Sequence, residues 1–508
     1  MGARCARCSD RCCACLAARM TSGTDGRPHR GGIVVSTLRD KDVPMHRLLV
    51  SSLLLCLAPV MATAAPSASA PAAVVHPCED ASSSPELQGS LCTVVQVPLH
   101  HAAADGPSIS LFLRRIPAEA STTRRGEVWL LSGGPGESGA SLYPLIVTYQ
   151  KAFPGYDLVI PDHRGTGRSA RICPVQEAPD SANGTGLAGA EWGPCIGAMY
   201  ADMARTTAFS IAEAAQDVSW LLTRYRREGE VILYGVSYGT QLALRTLQVS
   251  PVPLDGLILD GLVPPEDTQA WDLSRRTALV DAVGRQVLGA QGIARYQGVL
   301  LASETASWKA DVPGGDLRRF LGALLNFPTL RDRIPRIVDD LAHDDASSLR
   351  QAVADHSTAL RQLGQGGNNQ PSLPLVMLIA TSENNARPGL SKAVVDAEAK
   401  DALFVSPIPG LLVDSPVPTY AKDTAFGKRP AALPRTLVMQ GTLDPNTSYE
   451  GARDHAERLS RVGSLRFHTV ERGAHLLAFT APQCFAAATA AFLGHSDVAG
   501  ACTEPTQR

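Results

Sequence analysis

Apolar residues fall in short, regularly spaced runs through most of the chain. The alternation of Ile109, Leu111 and Leu113 and the runs VVQV (94–97), VWLL (128–131) and YDLVI (156–160) predict β-strands. The later runs are almost continuously apolar, as expected of strands in a sheet covered on both faces. Over 210–227 the spacing changes: Ile211, Ala214, Ala215, Val218 and Leu222 recur at helical intervals. VILYG (231–235) and LDGLILDG (254–261) continue the strand series. From 262 to about 430 the periodicity is mostly helical; Leu317, Phe320, Leu321, Leu324 and Leu325 mark the stripe of an amphipathic helix. Strand signals return in RTLVMQG (435–441) and LRFHTV (465–470), and a helix rich in Ala and Phe follows over 480–493. Strands alternating with helices, interrupted and then resumed, predict an α/β fold with a mostly parallel central sheet, helices on both faces and a helical cap inserted before the last strands. The expected division is 78–261 and 431–508 for the core and 262–430 for the cap.

The amino-terminal region does not fit this pattern. Residues 45–64 begin with Met45 and Arg47, run through an apolar stretch from Leu48 to Leu57, and end in Ala62-Thr63-Ala64. That is the layout of a secretory signal peptide cleaved after Ala64. Ser51, Ser52 and Pro59 interrupt its apolar stretch, which falls short of the ~18 residues a membrane span needs. Since a signal peptide normally starts a chain, residues 1–44 are expected to be an untranslated or removed extension, despite their five cysteines. Residues 65–77, small and Pro-rich, read as a flexible tether. The protein is thus expected to be exported, to a periplasm or beyond.

Composition narrows the partners. The 508 residues carry 47 Lys plus Arg against 49 Asp plus Glu. With residues 1–64 set aside, 38 basic side chains face 45 acidic ones, a net charge of −7. That excludes a basic nucleic-acid-binding chain and argues against anionic membranes as partners; no obligate protein partner is evident. Six cysteines remain beyond the signal, an even count that in an exported chain implies disulfides. They lie in three close pairs, and the expected bridges are Cys78 to Cys92, Cys173 to Cys195 and Cys484 to Cys502.

The strongest chemical signal is GVSYG at 235–239, between the strand run EVILY and the helix-compatible TQLALRTLQ. Strand, turn and helix together make a nucleophile elbow, with the Ser237 hydroxyl projecting from the sheet edge. A serine hydroxyl needs a base, normally a His oriented by a carboxylate. The order Ser, acid, His of this architecture points past the cap. RTLVMQG runs into Asp444, and LRFHTV leads to His475, 31 residues further on. Asp260 also ends a strand but immediately precedes the cap; His468 lies inside a strand and His163 in a loop. The developing oxyanion needs N–H donors, and the glycine-rich GGPGESG (133–139) follows VWLL. Gly134 and Tyr238, the residue after the nucleophile, are the expected donors.

GGPGESG, DHRGTGRS (162–169), GVSYGT (235–240), GTLDP (441–445) and GAH (473–475), in this order, resemble the α/β-hydrolase serine peptidases that include prolyl aminopeptidase and the secreted bacterial tripeptidyl aminopeptidases. The cysteine-bearing carboxyl-terminal tail is similar to the latter, TAP-like subgroup. The resemblance extends over nearly all of 78–504. It implies cleavage of short peptides from a free N-terminus by a Ser-Asp-His triad under a helical cap, with no metal or organic cofactor. In the resembling enzymes an acidic cap residue holds the substrate ammonium, and the stretch IATSENN (379–385) makes Glu383 its counterpart; Glu137 beside the glycine loop is a second candidate. Ser132, His163, Ser382 and Leu476 depart from residues common in prolyl aminopeptidases, which bears on substrate length and preference. Asp162 and Arg164 read as structural, tying their loop to the sheet. The same machinery also serves esterases and lactonases, and a retired scaffold could bind without catalysis.

Overall fold

Every apolar run read as a strand forms one. The computed structural model describes residues 75–363 and 370–505, which lie in one unit spanning Ala70–Arg508. Its strands are β1 (His76–Pro77), β2 (Leu91–Pro98), β3 (Ser108–Ile116), β4 (Gly126–Leu131), β5 (Tyr156–Asp162), β6 (Glu230–Val236), β7 (Gly256–Asp260), β8 (Thr436–Gly441), β9 (Leu465–Glu471) and β10 (Ala501–Thr503). They make one sheet in the order β1-β2-β3-β5-β4-β6-β7-β8-β9-β10. Pairing is antiparallel from β1 to the β3/β5 contact and parallel from there to β10. The helices that matter below are α1 (Ile146–Ala152), α2 (Ile211–Tyr225), α3 (Tyr238–Val249), α4 (Arg276–Ala302), α5 (Leu317–Leu324), α6 (Leu373–Ser382), α7 (Tyr449–Leu459) and α8 (Pro482–Leu493).

The central strands are apolar throughout because successive side chains enter two different cores. Trp129, Leu131, Leu233, Leu257 and Val438 pack on one face with Ile211, Val218 and Leu222 of α2 and Leu242 of α3. Val128, Leu130, Ile232, Ile258 and Leu437 pack on the other with Ile146 and Tyr149 of α1 and Phe485 and Phe492 of α8. Between β7 and β8 the described chain is helical, as the fold class requires, and it has a core of its own around Phe320, Leu321, Leu324, Ile334 and Phe404. The amphipathic stripe of α5 is part of that core.

Register brings the chemistry to one edge. Leu131 pairs with Gly235, Val236 with Asp260, Asp260 with Met439, and Gly441 with Val470. The segments that leave β4, β6, β8 and β9 therefore emerge side by side at the carboxyl ends of parallel strands, the usual place for a site in such sheets.

Three disulfides join Cys78 to Cys92, Cys173 to Cys195 and Cys484 to Cys502. With sequence separations of 14 to 22 between partners, each is worth about 3 kcal/mol in the chain-entropy account. The last ties β10 to α8, and disulfides in this number belong to an oxidising compartment. The tether reading fails at its carboxyl end: His76 and Pro77 pair with Cys92 and Leu91, where backbone hydrogen bonding next to a disulfide outweighs the Pro-rich local sequence. The expected signal peptide, the extension before it and most of the tether lie outside the described residues. Among the described residues no helix is long and apolar enough to cross a membrane.

Candidate active site

Ser237 joins β6 to α3 with φ 56° and ψ −124°, a conformation a non-glycine residue adopts only when its surroundings compel it. Its N–H donates to the Asp260 carbonyl at 2.9 Å, and its own carbonyl accepts from Thr240 N–H at 2.8 Å. The two flanking glycines are required by contact. A Cβ on Gly235 would stand 2.3 Å from the Gly239 carbonyl oxygen, and one on Gly239 would stand 2.4 Å from that of Leu131. Strand and helix thus cross too closely for side chains, and the serine is thrust out of the sheet edge.

Asp444 and His475 meet across the turns that follow β8 and β9. His475 Nδ1 lies 2.8 Å from Asp444 Oδ2. The carboxylate also accepts from the N–H groups of Asn446 (2.7 Å) and Thr447 (2.9 Å), from the Thr447 hydroxyl (2.8 Å) and from Gln440 Nε2 (3.1 Å). Burial alone would raise its pKa; the His475 charge and these donors hold it below the ordinary carboxylate range. Burial likewise works to lower the His475 pKa, but the Asp444 carboxylate outweighs it and raises the imidazole above its usual value. Ser237 and His475 line one cavity. A base must be neutral to accept the serine proton, so activity is lost as pH falls through this raised pKa. The acid limb of kcat/KM is therefore expected above pH ~6.5, the unperturbed His value. A stopped-flow or plate-reader pH profile with its midpoint at or below that value would contradict the pairing.

The other acids and histidines considered have structural partners. Asp260 accepts from Tyr234 Oη at 2.9 Å and from the N–H groups of Leu477 and Ala478. Burial pushes its pKa up to about 6. It braces the turn after His475 rather than the imidazole. His468 bonds the Ala499 carbonyl, and burial lowers His163 to about 4. Asp162 accepts from Gly139 N–H at 2.7 Å and Arg168 N–H at 2.8 Å, binding the glycine loop to its neighbour. Arg164 forks onto Asp217 at 2.6 and 2.7 Å and donates to the Leu99 and Ala208 carbonyls.

The glycine loop lies against the nucleophile. A Cβ on Gly133 would come 3.2 Å from Ser237 Cβ. Gly134 has φ +111° and borders Ser237 in the cavity wall. Tyr238 is the first residue of α3, so its N–H has no acceptor within the helix. Ser372 N–H, just ahead of α6, donates to the Gly136 carbonyl at 2.9 Å and couples the loop to the helical region.

Two cavities meet at Ser237. The larger, about 490 Å³, is walled mainly by apolar side chains such as Phe327, Leu360, Met377, Leu412 and Phe479, with Glu137 among them. The smaller, about 70 Å³, carries a cluster of polar groups among apolar ones: Glu383, Glu266, Asn384 and Gln241 line it together with Tyr238, Trp271 and Val263. Glu383 directly follows α6 and is 3% exposed. It is not the lone carboxylate the sequence implies. Arg245 of α3 binds Glu383 at 2.9 Å, Glu266 at 2.7 Å and Asp423 at 2.6 Å, so three carboxylates share one guanidinium. Burial pushes the Glu383 pKa up, with Arg245 opposing. The Tyr238 hydroxyl, buried beside this cluster, has no hydrogen-bond partner among the described residues. Glu266 and Arg245 escape sequence reading: their one signal is a carboxylate shortly after a strand end and a buried Arg inside an apolar helix run.

Comparison with known proteins agrees with this architecture. The family model described as alpha/beta hydrolase fold matches residues 128–303, and that described as TAP-like protein matches 414–501. No curated protein sequence matches the chain. Among solved structures, a thermophilic esterase from Thermogutta terrifontis is 15% identical, covering 79% of this chain and 98% of its own at TM-score 0.36. VinJ is 14% identical, covering 80% and 99% at TM-score 0.37. A laboratory-evolved variant of potato epoxide hydrolase StEH1 is 13% identical, covering 79% and 99% at TM-score 0.35. At such identities and scores these likenesses carry no argument about chemistry. Sheet order, nucleophile elbow and the two family matches together place the chain among the α/β hydrolases, with a TAP-like carboxyl-terminal region.

Proposed function

We propose that the protein is an exported serine aminopeptidase that removes residues from the free N-termini of short peptides. The observation that carries this reading is the recess beside Ser237, lined by Glu383 and Glu266, which together with Asp423 behind it share the single charge of Arg245. Such a cluster keeps surplus negative charge next to the nucleophile, and a substrate ammonium is the group that neutralises it. Ser237 attacks the scissile carbonyl while His475 accepts its proton and later delivers it to the leaving amine; Asp444 orients His475 and stabilises the imidazolium. The N–H groups of Gly134 and Tyr238 receive the oxyanion. Water then hydrolyses the acyl-enzyme by the same proton shuttle. No step calls for a metal or organic cofactor.

The test compares aminocoumarin release from free and N-acetylated aminoacyl, dipeptidyl and tripeptidyl amides. Free substrates are expected to turn over and acetylated ones not, and the panel reads out how many residues leave together. Glu383→Gln removes one charge without changing side-chain size, so KM for free-amine substrates is expected to rise roughly tenfold or more with kcat changed less. The large apolar cavity favours one second reading, an esterase or lactonase using the same triad. Cleavage of acyl esters with no turnover of any free-amine amide would select it.

A further inference from the structure

Among the described residues, a cation without a counterion borders Ser237. Arg276 opens α4, and its side chain lines both cavities, as do Ser237, Gly134, Pro135, Leu273 and Asn446. Its Nη1 donates to Asn446 Oδ1 at 2.8 Å. Among the described residues the guanidinium makes no other hydrogen bond and no ion pair. The nearest acid in charge terms, Asp444, is already engaged by His475 and by the N–H groups and hydroxyl of its own turn. Burial lowers the Arg276 pKa to about 10, with Asp444 opposing.

The fully buried arginines of the sheet and its helices are paired. Arg164 forks onto Asp217, Arg115 pairs with Glu127, and Arg245 has three carboxylates. Arg276 is only half-buried on the cavity wall, and among the described residues most of its five N–H donors are unused. The planar fork of an Arg matches a carboxylate in two parallel hydrogen bonds. Glu137, the carboxyl group of the large cavity, offers little competition, since burial pushes its pKa up against the opposing His475 charge.

We propose that Arg276 receives the carboxylate of the substrate's own C-terminus, so that the preferred substrates are zwitterionic di- and tripeptides. The ammonium enters the Glu383 and Glu266 recess, and an apolar last side chain enters the 490 Å³ cavity. This rests on the aminopeptidase reading and deepens it: Ser237 shares its cavities with both the acidic recess and Arg276, and a short peptide with both ends free satisfies both.

The experiment measures kcat/KM for Ala-Leu, its C-terminal amide Ala-Leu-NH2, and Ala-Glu-NH2, with wild type, Arg276→Lys and Arg276→Met. Wild type is expected to prefer Ala-Leu over its amide about tenfold or more, the range of a charge-assisted pair. Arg276→Met is expected to bring that ratio near one, mainly through KM, with Arg276→Lys in between. An Ala-Glu-NH2 rate equal to that of Ala-Leu would move the carboxylate from the chain terminus to a side chain and overturn the proposal. A ratio near one in wild type, or an equal fall on acid and amide in Arg276→Met, would also overturn it and leave Arg276 as a group that only depresses His475 protonation. Calorimetric binding of the acid and the amide to Ser237→Ala separates the two layers. If wild type cleaves esters and no peptide, the aminopeptidase reading fails. Tighter binding of the acid, lost in the Ser237→Ala/Arg276→Met pair, then still upholds the carboxylate site, whereas equal or absent binding removes it.

Discussion

Ser237→Ala is expected to lower kcat roughly a million-fold while leaving the thermal unfolding midpoint close to that of wild type. In the proposed mechanism the hydroxyl is the attacking atom that forms the acyl-enzyme. The substitution touches nothing that holds the elbow: Ser237 makes its structural bonds through backbone N–H and C=O, to Asp260 and Thr240. An alanine keeps both. The strain at φ 56° remains as well, because alanine is no more at ease there than serine. A fluorophosphonate probe is expected to label wild type on Ser237, seen by peptide mass mapping, and to leave Ser237→Ala unlabelled. Labelling that persists in the variant, or turnover within tenfold of wild type, would move the nucleophile elsewhere.

Asp444→Asn is expected to cost about 10⁴ in kcat with a smaller effect on KM. The carboxylate accepts from Asn446 N–H, Thr447 N–H, Thr447 Oγ1 and Gln440 Nε2 as well as facing His475 Nδ1. An asparagine keeps the turn bonds only by giving its carbonyl to the N–H groups of Asn446 and Thr447. Its NH₂ then faces Nδ1, which must become an acceptor, and the ring proton moves to Nε2. In that tautomer the imidazole has no lone pair for the serine proton. The raised His475 pKa also disappears with the charge that sustains it, so the residual activity should show its acid limb at lower pH. Equal kcat in wild type and Asp444→Asn would return the role of the acid to another carboxylate, with Asp260 next in line.

How much of this was legible in the chain divides along physical lines. Strands, the helical insertion, the cysteine pairs and the segments carrying Ser237, Asp444 and His475 are written in local pattern. A strand buried on both faces must be apolar at every position, as VWLL and VILYG are, and a nucleophile elbow needs glycines where strand and helix touch. Ordered motifs such as GGPGESG and GTLDP therefore carry the identity of the fold and the order of the triad. Even the structural roles of Asp162 and Arg164 follow from their place beside the glycine loop.

Other features arise only when distant segments pack. Arg245 lies in an apolar helix run, Glu266 after β7, Glu383 after α6 and Asp423 beyond it; nothing local relates them, yet one guanidinium gathers all three carboxylates. The short strand His76–Pro77 forms against its local composition because β2 offers it an edge. The direction of the His475 pKa is likewise tertiary, a contest between burial and one carboxylate 31 residues away. The fold and the segments that carry Ser237, Asp444 and His475 were legible in the sequence, because periodicity and turn chemistry act over a few residues. The charge balance around Ser237, with a cluster of acids near it and Arg276 without an ion pair among the described residues, was decided by the tertiary structure alone, because electrostatic energy depends on distance in space and on exclusion of water.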